Sequence, residues 1–166
     1  MTTPKIAVAG LGLCALLLIG PADSLAQNQA AMAIERPAPA AKAAHQQLLA
    51  KARQGRIDVY FLGDSITRRW GATDYPEFLA HWNETFFGWN AANFGWGGDK
   101  TQHMIWRLEH GELDGVNPKV VVLLAGTNNI GRKPDAHTAA DIAEGIRRLL
   151  DLIQAKAPDA RIVLMA

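Results

Sequence analysis

Ser65, Gly98 and Asn128 are residues whose types and spacing could do chemistry together. They stand 33 and 30 residues apart, one strand-and-helix unit per step. A serine hydroxyl is a nucleophile once a base takes its proton. Acyl transfer also needs hydrogen-bond donors aimed at the oxyanion of a tetrahedral intermediate. The Ser65 and Gly98 backbone N–H groups and the Asn128 side-chain amide could supply three such donors. Glycine at position 98 would let a substrate lie against the backbone with no Cβ in the way. Singly these residues say little, because Gly, Asp, Ser and Asn are ordinary turn formers. Their common spacing carries the argument.

The elements that must position them can be read from hydrophobic pattern. Val59-Tyr60-Phe61-Leu62 is an apolar run stopped by Gly63-Asp64-Ser65, as a buried strand would be. Ala41 to Gln54 favours a helix ended by Gly55, and Tyr75 to Trp82 a short helix opened by Pro76. Trp89 to Phe94 reads as a second strand running into Gly95-Trp96-Gly97-Gly98-Asp99. Asp99 is expected to cap the next helix, with Gln102 three residues on and Met104, Ile105 and Leu108 on its buried side. Lys119 to Ala125 is a third strand, so apolar that both its faces should be covered, and it enters Gly126-Thr127-Asn128-Asn129. Thr138 to Lys156 carries apolar residues at helical spacing behind a Thr138/Asp141 capping box, and Arg161 to Met165 begins a fourth strand. Strand–helix alternation implies an α/β fold with a parallel sheet and right-handed crossovers. The three candidate residues would then project from one sheet edge, where open α/β folds hold their ligands.

Composition sets outer bounds. The chain has 166 residues, 49% of them hydrophobic, and a formal net charge of +1. Its basic residues are dispersed, which argues against nucleic acid as a partner. Lys5, the apolar stretch Ile6 to Ile19 and the small residues of Ser24-Leu25-Ala26 read as a secretory signal over residues 1–26. The stretch is too short to span a membrane comfortably, so no stable membrane insertion is expected after cleavage. The expected location is periplasmic or secreted. Cys14, the sole cysteine, would leave with the signal, and Leu13 before it is too large for a typical lipoprotein cleavage site. Gln27 to Ala40, rich in Ala, Gln and Pro, is expected to be a flexible lead-in.

Four segments in register resemble the SGNH (GDSL) hydrolases. Phe61-Leu62-Gly63-Asp64-Ser65-Ile66-Thr67, Asn93 to Asp99 and Leu124-Ala125-Gly126-Thr127-Asn128-Asn129 are similar to that family's first three sequence blocks. Trp106 to Leu113, followed by Asn117-Pro118-Lys119, resembles its platelet-activating-factor acetylhydrolase β/γ-like branch. The resemblance runs from about Ala41 to Ala166. It implies a flavodoxin-like three-layer α/β/α sandwich and an esterase removing acetyl or short acyl groups through an acyl-enzyme. Ser65 would be the nucleophile, and Gly98 and Asn128 would complete the oxyanion hole. No metal or organic cofactor is implied, and the partner would be a small-molecule, lipid or glycan acyl ester.

One family feature is missing: the base on a late Asp-x-x-His motif. No Asp in the chain is followed by His at the third position, and Asp135-Ala136-His137 has the wrong spacing. The simplest expectation is a fragment that ends before the last strand, the last helix and the general base, and that hydrolyses esters weakly if at all. His103 is expected to orient the glycine loop or pack beside it, His45 to pack or lie on the surface of its helix, and Asn129 to hold its own turn. Two other readings compete. A phosphate-binding first loop is disfavoured by Asp64, whose charge would repel the ligand. A non-catalytic glycan-binding module would use Trp70, Trp82, Trp89, Trp96 and Trp106 as stacking faces, although tryptophans so scattered more often pack. The secretory reading makes a direct prediction: the mature N-terminus is Gln27 or close to it, which intact-mass spectrometry of the protein recovered from periplasm or medium will check. A functional protein retaining Met1 to Ala26 would contradict it.

Overall fold

The computed structural model describes residues 28–131 and 136–165. Residues 1–26, expected to be a signal, and Asp135 and Ala166 lie outside them. In chain order the elements are α1 (Pro39–Ala52), β1 (Val59–Gly63), α2 (Ser65–Arg69), α3 (Pro76–Thr85), β2 (Ala91–Gly95), α4 (Thr101–Arg107), β3 (Val120–Leu124), α5 (Thr127–Ile130), α6 (Ala139–Lys156) and β4 (Arg161–Leu164). A short 3₁₀ turn, Gln29–Ala31, precedes α1, and a wide turn, Leu108–Glu112, extends α4 to a kink at His110 and Gly111.

All strand pairs are parallel, in the order β2-β1-β3-β4. The chain steps outward from β1 to β2, then crosses back over β1 to β3. This reversal makes the crevice between the ends of β1 and β3 the topological switch point of the sheet. Register places Gly63 of β1 level with Gly95 of β2 and Leu124 of β3. The turns after these strands therefore leave the sheet at one height.

Alternation along β1 divides the molecule into layers. Tyr60 and Leu62 face one way, into a buried cluster with Phe94, Met104, Ile105, Val121, Leu123, Leu149 and Ile153. Helices α4 and α6 close that side. Phe61 faces the other way, with Trp70, Trp82 and Phe86 edge-on around it at 5.0–5.9 Å between ring centres. That aromatic layer joins α2 and α3 to β1. It does not extend over β3, so Val120, Val122 and Leu124 are half-buried, not covered on both faces as expected. Among the described residues β4 is paired on one edge only, and its Val163 and Leu164 are exposed.

The long helix starts as anticipated. Thr138 Oγ1 accepts from the Asp141 N–H, and the Asp141 carboxylate accepts from the Thr138 N–H. The Thr138 hydrogen bonds hold the Asp141 carboxyl below the usual carboxylate range.

The stretch before α1 departs from expectation. Residues 28–38 do not form a loose lead-in; they lie along the domain. Asn28 Nδ2 donates to Asp141 O at 3.0 Å, Thr101 Oγ1 donates to Ala30 O at 2.7 Å, and the Ile34 N–H donates to Gln102 O at 3.1 Å. Ala30 is buried against Gly145 of α6. Low-complexity composition signals disorder only when the backbone finds no partners, and here it finds several.

Gly95 is a close-approach position. A Cβ there would lie 2.4 Å from the Arg68 N and 2.9 Å from Asp64 O, so β2 and the start of α2 touch backbone to backbone. Gly95→Ala should cost roughly 3 kcal/mol by overpacking, read as a lowered denaturation midpoint. Gly55→Ala, where a Cβ would meet nothing within 4 Å, should leave the midpoint nearly unchanged.

Candidate active site

The turn after β1 is only one residue long. Asp64 is the N-cap of α2: its Oδ1 accepts from the Ile66 N–H at 2.8 Å. Ser65 is thus the first residue of the helix. The N–H groups of a helix's first turn have no intrahelical acceptor; Asp64 takes that of Ile66, and the Ser65 N–H remains available beside its own hydroxyl. Asp64 itself is 1% exposed, and its second oxygen accepts from Asn128 Nδ2 at 3.2 Å. This carboxylate spans the switch point and ties the β1 turn to the β3 turn. The position of Asp64 directly before a helix-starting serine is the sequence signal for this capping role.

The loop after β2 passes alongside. The Trp96 N–H donates to Gly63 O at 3.0 Å, continuing the strand pairing for one residue. A Cβ at Gly97 would then lie 4.0 Å from Ser65 Cβ. Gly98 has φ +77°, a left-handed conformation that favours glycine, and it is exposed. Its N–H donates to no acceptor among the described residues. Ser65, Gly98 and Asn128 are therefore carried by neighbouring turns at one edge of the sheet.

Asn128 differs from expectation in its partners. Its amide does not point at open space alone; Nδ2 donates to Asp99 O at 2.8 Å as well as to Asp64. A half-buried NH₂ group beside two acceptors pairs with them. Asn129 behaves as anticipated. It is fully buried, accepts from the Thr101 N–H at 2.9 Å through Oδ1, and donates to Thr101 Oγ1 at 3.0 Å and Gln102 Oε1 at 2.9 Å. It locks the β3 turn to the start of α4.

Asp99 corrects the capping expectation. The N-cap of α4 is Lys100, whose N–H donates to His103 Nδ1 at 3.0 Å. Asp99 is fully buried and ion-paired, with Arg36 at 3.0 Å and Arg107 at 2.9 Å. Two guanidinium groups at that distance outweigh a surface cap. Burial pushes the Asp99 carboxyl up from its ordinary range, and Arg107 and Arg36 pull it back. Arg107 also donates to Glu112 Oε2 at 2.8 Å and to Phe94 O at 3.1 Å. Glu112 in turn meets His45 Nδ1 at 2.7 Å, which makes His45 a buried packing histidine. Arg36 and Glu112 were not foreseen as part of the site, since neither carries a local signal.

No histidine ring among the described residues hydrogen-bonds Ser65. In His103 the Nδ1 lone pair is taken by the Lys100 N–H. His137 is tied to the β3 turn through its backbone N–H to Asn129 O at 2.9 Å. All five tryptophans have ring or cation partners: Trp70 and Trp82 pack around Phe61, Trp89 meets Phe86 edge-on, Trp106 stacks on His110, and Trp96 faces the Arg68 guanidinium. Among the described residues no group of three His, Cys, Asp or Glu side chains could hold a metal ion.

Residues 61–166 match the model of the GDSL-like Lipase/Acylhydrolase family. The chain belongs to that family. Over 121 residues it is 38% identical to platelet-activating factor acetylhydrolase IB subunit alpha1 of Bos taurus and of Homo sapiens, covering 73% of this chain and 47% and 48% of theirs. The chain thus spans about half the length of the curated relatives it matches. A solved GDSL-like lipase from Bacteroides thetaiotaomicron superposes with a TM-score of 0.55 at 20% identity, covering 72% of this chain and 56% of that one. That likeness extends to the fold, the α/β architecture with a parallel sheet anticipated from the strand–helix pattern.

His103 generates a pH prediction. Burial, then the charges of Arg36, Lys100 and Arg107, lower its pKa from 6.5 to about 4. Between those values the unfolded chain binds a proton that the folded chain refuses, so stability falls as pH drops from 6.5 toward 4. His103→Asn keeps an acceptor for the Lys100 N–H and removes the titration. Its melting temperature should decline less steeply than the wild type's across that window, measured by thermal scans at stepped pH.

Proposed function

We propose that this chain carries the nucleophile and oxyanion donors of a serine ester hydrolase that removes acetyl or short acyl groups. The supporting observation is the meeting of three turns at the switch point: Ser65 at a helix start, Gly98 with an unpaired N–H, and Asn128 between Asp64 and Asp99. The platelet-activating factor acetylhydrolase relatives favour a short acyl group.

In this reading Ser65 Oγ forms a bond to the acyl carbon, and the carbonyl π electrons move onto oxygen. The Ser65 and Gly98 N–H groups and the Asn128 amide take up that negative charge. The longer Asn128 bond, 3.2 Å to Asp64, is the one the oxyanion displaces. The tetrahedral intermediate then expels the alcohol and leaves an acyl-serine, which water cleaves to acid and free enzyme. No Asp-x-x-His motif occurs in the sequence, and we assign the proton transfer at Ser65 Oγ to a base that these residues do not supply.

Ser65→Ala in the full-length protein should abolish ester hydrolysis and labelling by a fluorophosphonate while leaving the melting temperature unchanged. Retained hydrolysis would remove the mechanism. The two asparagines should separate. Asn128→Ala lowers kcat roughly 10²–10³-fold with little change in KM, as loss of an oxyanion donor does. Asn129→Ala leaves buried Thr101 and Gln102 groups unpaired and lowers the melting temperature instead, by the equivalent of about 1–3 kcal/mol.

A further inference from the structure

We propose that Arg36, in the segment ahead of α1, is a positioning residue that aims the Gly98 N–H. The proposal rests on the hydrolase reading above. Arg36 Nη1 donates to Gly97 O at 2.6 Å and to Asp99 Oδ1 at 3.0 Å, so one guanidinium nitrogen bridges the residues on either side of Gly98. A Cβ on Gly98 would lie 3.3 Å from Arg36 Nη2. The side chain is about three-quarters covered, with 27% of its surface exposed.

Planarity of the peptide gives this contact its meaning. The Gly97 carbonyl and the Gly98 N–H belong to one rigid unit and point in opposite directions. Holding the oxygen therefore sets the direction of the N–H at the other end. On either side of that unit are glycines, the residues with the least intrinsic preference for one orientation, so the plane needs an external hold. A cation on the carbonyl also polarises the unit and makes its N–H a stronger donor.

Arg36 is itself held at both ends. Asp99, buried against Arg107, fixes the guanidinium. The backbone on its N-terminal side is pinned where the Ile34 N–H donates to Gln102 O and where Ala30 O accepts from the Thr101 hydroxyl. The segment thus acts as a strap from α6 and α4 to the oxyanion loop.

The test compares Arg36→Ala and Arg36→Lys with wild type in the full-length protein, using p-nitrophenyl acetate turnover, melting temperature and fluorophosphonate labelling. Arg36→Ala should lower kcat roughly 10- to 100-fold with KM within about twofold, the scale of a misaimed donor. Arg36→Lys, which can still donate to Gly97 O and Asp99, should recover most of the loss, and added ethylguanidine should restore part of it in Arg36→Ala. A merely structural role would produce a loss that tracks melting temperature and that ethylguanidine does not repair; that result overturns the proposal. So does wild-type turnover in folded Arg36→Ala. Absence of labelling in the wild type itself overturns the hydrolase reading and this proposal with it, whereas wild-type labelling with an unimpaired Arg36→Ala overturns the Arg36 role alone.

Discussion

The Arg107 guanidinium, 5% exposed beneath the end of β2, is the constraint on which the site depends. A charge so placed has to be met by opposite charge and by acceptors, or several kcal/mol of lost hydration go uncompensated. Asp99, Glu112 and the Phe94 carbonyl meet it. Those three groups come from the glycine loop, the wide turn after α4 and β2. Satisfying one buried cation therefore fixes three pieces of chain relative to one another. Removing either carboxylate would leave an unpaired buried charge, the costly case, even though such pairs add little net stability over a well-packed apolar core. The network holds the loop in one conformation more than it adds to the total stability.

From that anchor the loop reaches the sheet edge. Asp99 passes its constraint outward to Arg36 through a carboxylate oxygen and to Asn128 through its carbonyl. Asn128 passes it to Asp64, and Asp64 to the first turn of α2, where Ser65 stands. The chain of contacts runs from buried ion pair to half-buried amide to a helix N-cap. Preorganisation of this kind lets oxyanion donors act without reorganising at the moment of reaction. The parallel register supplies the other half of the arrangement by ending β1, β2 and β3 at one level.

The two faces of the sheet contribute differently. The face under α4 and α6 is a continuous aliphatic core with Tyr60 and Phe94 stacked at 4.0 Å within it. The opposite face is an aromatic layer confined to β1 and its two helices. Site geometry depends on the first face, because Arg107, Asn129 and Thr101 all belong to it. The second mainly holds α2 down on β1 through Phe61 and Trp70.

Much of this was legible in the residues. Hydrophobic runs closed by Gly63, Gly95 and Gly126 mark three strands, and their spacing alone places Ser65, Gly98 and Asn128 at one edge. The capping box at Thr138 and the turn-holding role of Asn129 were also readable, because each depends on neighbours close in sequence or on a local conformational preference. Long-range pairing was not legible. Asp99 looked like a cap and proved to be an ion-pair partner; residues 28–38 looked like a loose leader and proved to be a strap; Asn128 looked free and proved to be shared between Asp64 and Asp99. Apart from Arg107, which lies one helix beyond Asp99, the deciding partners are 29 or more residues away, and all are chosen by burial, not by spacing. Local patterns of apolar and turn residues are written along the chain, so they set the elements. Which buried charge meets which is decided only when the core excludes water and every polar group within it must find a partner.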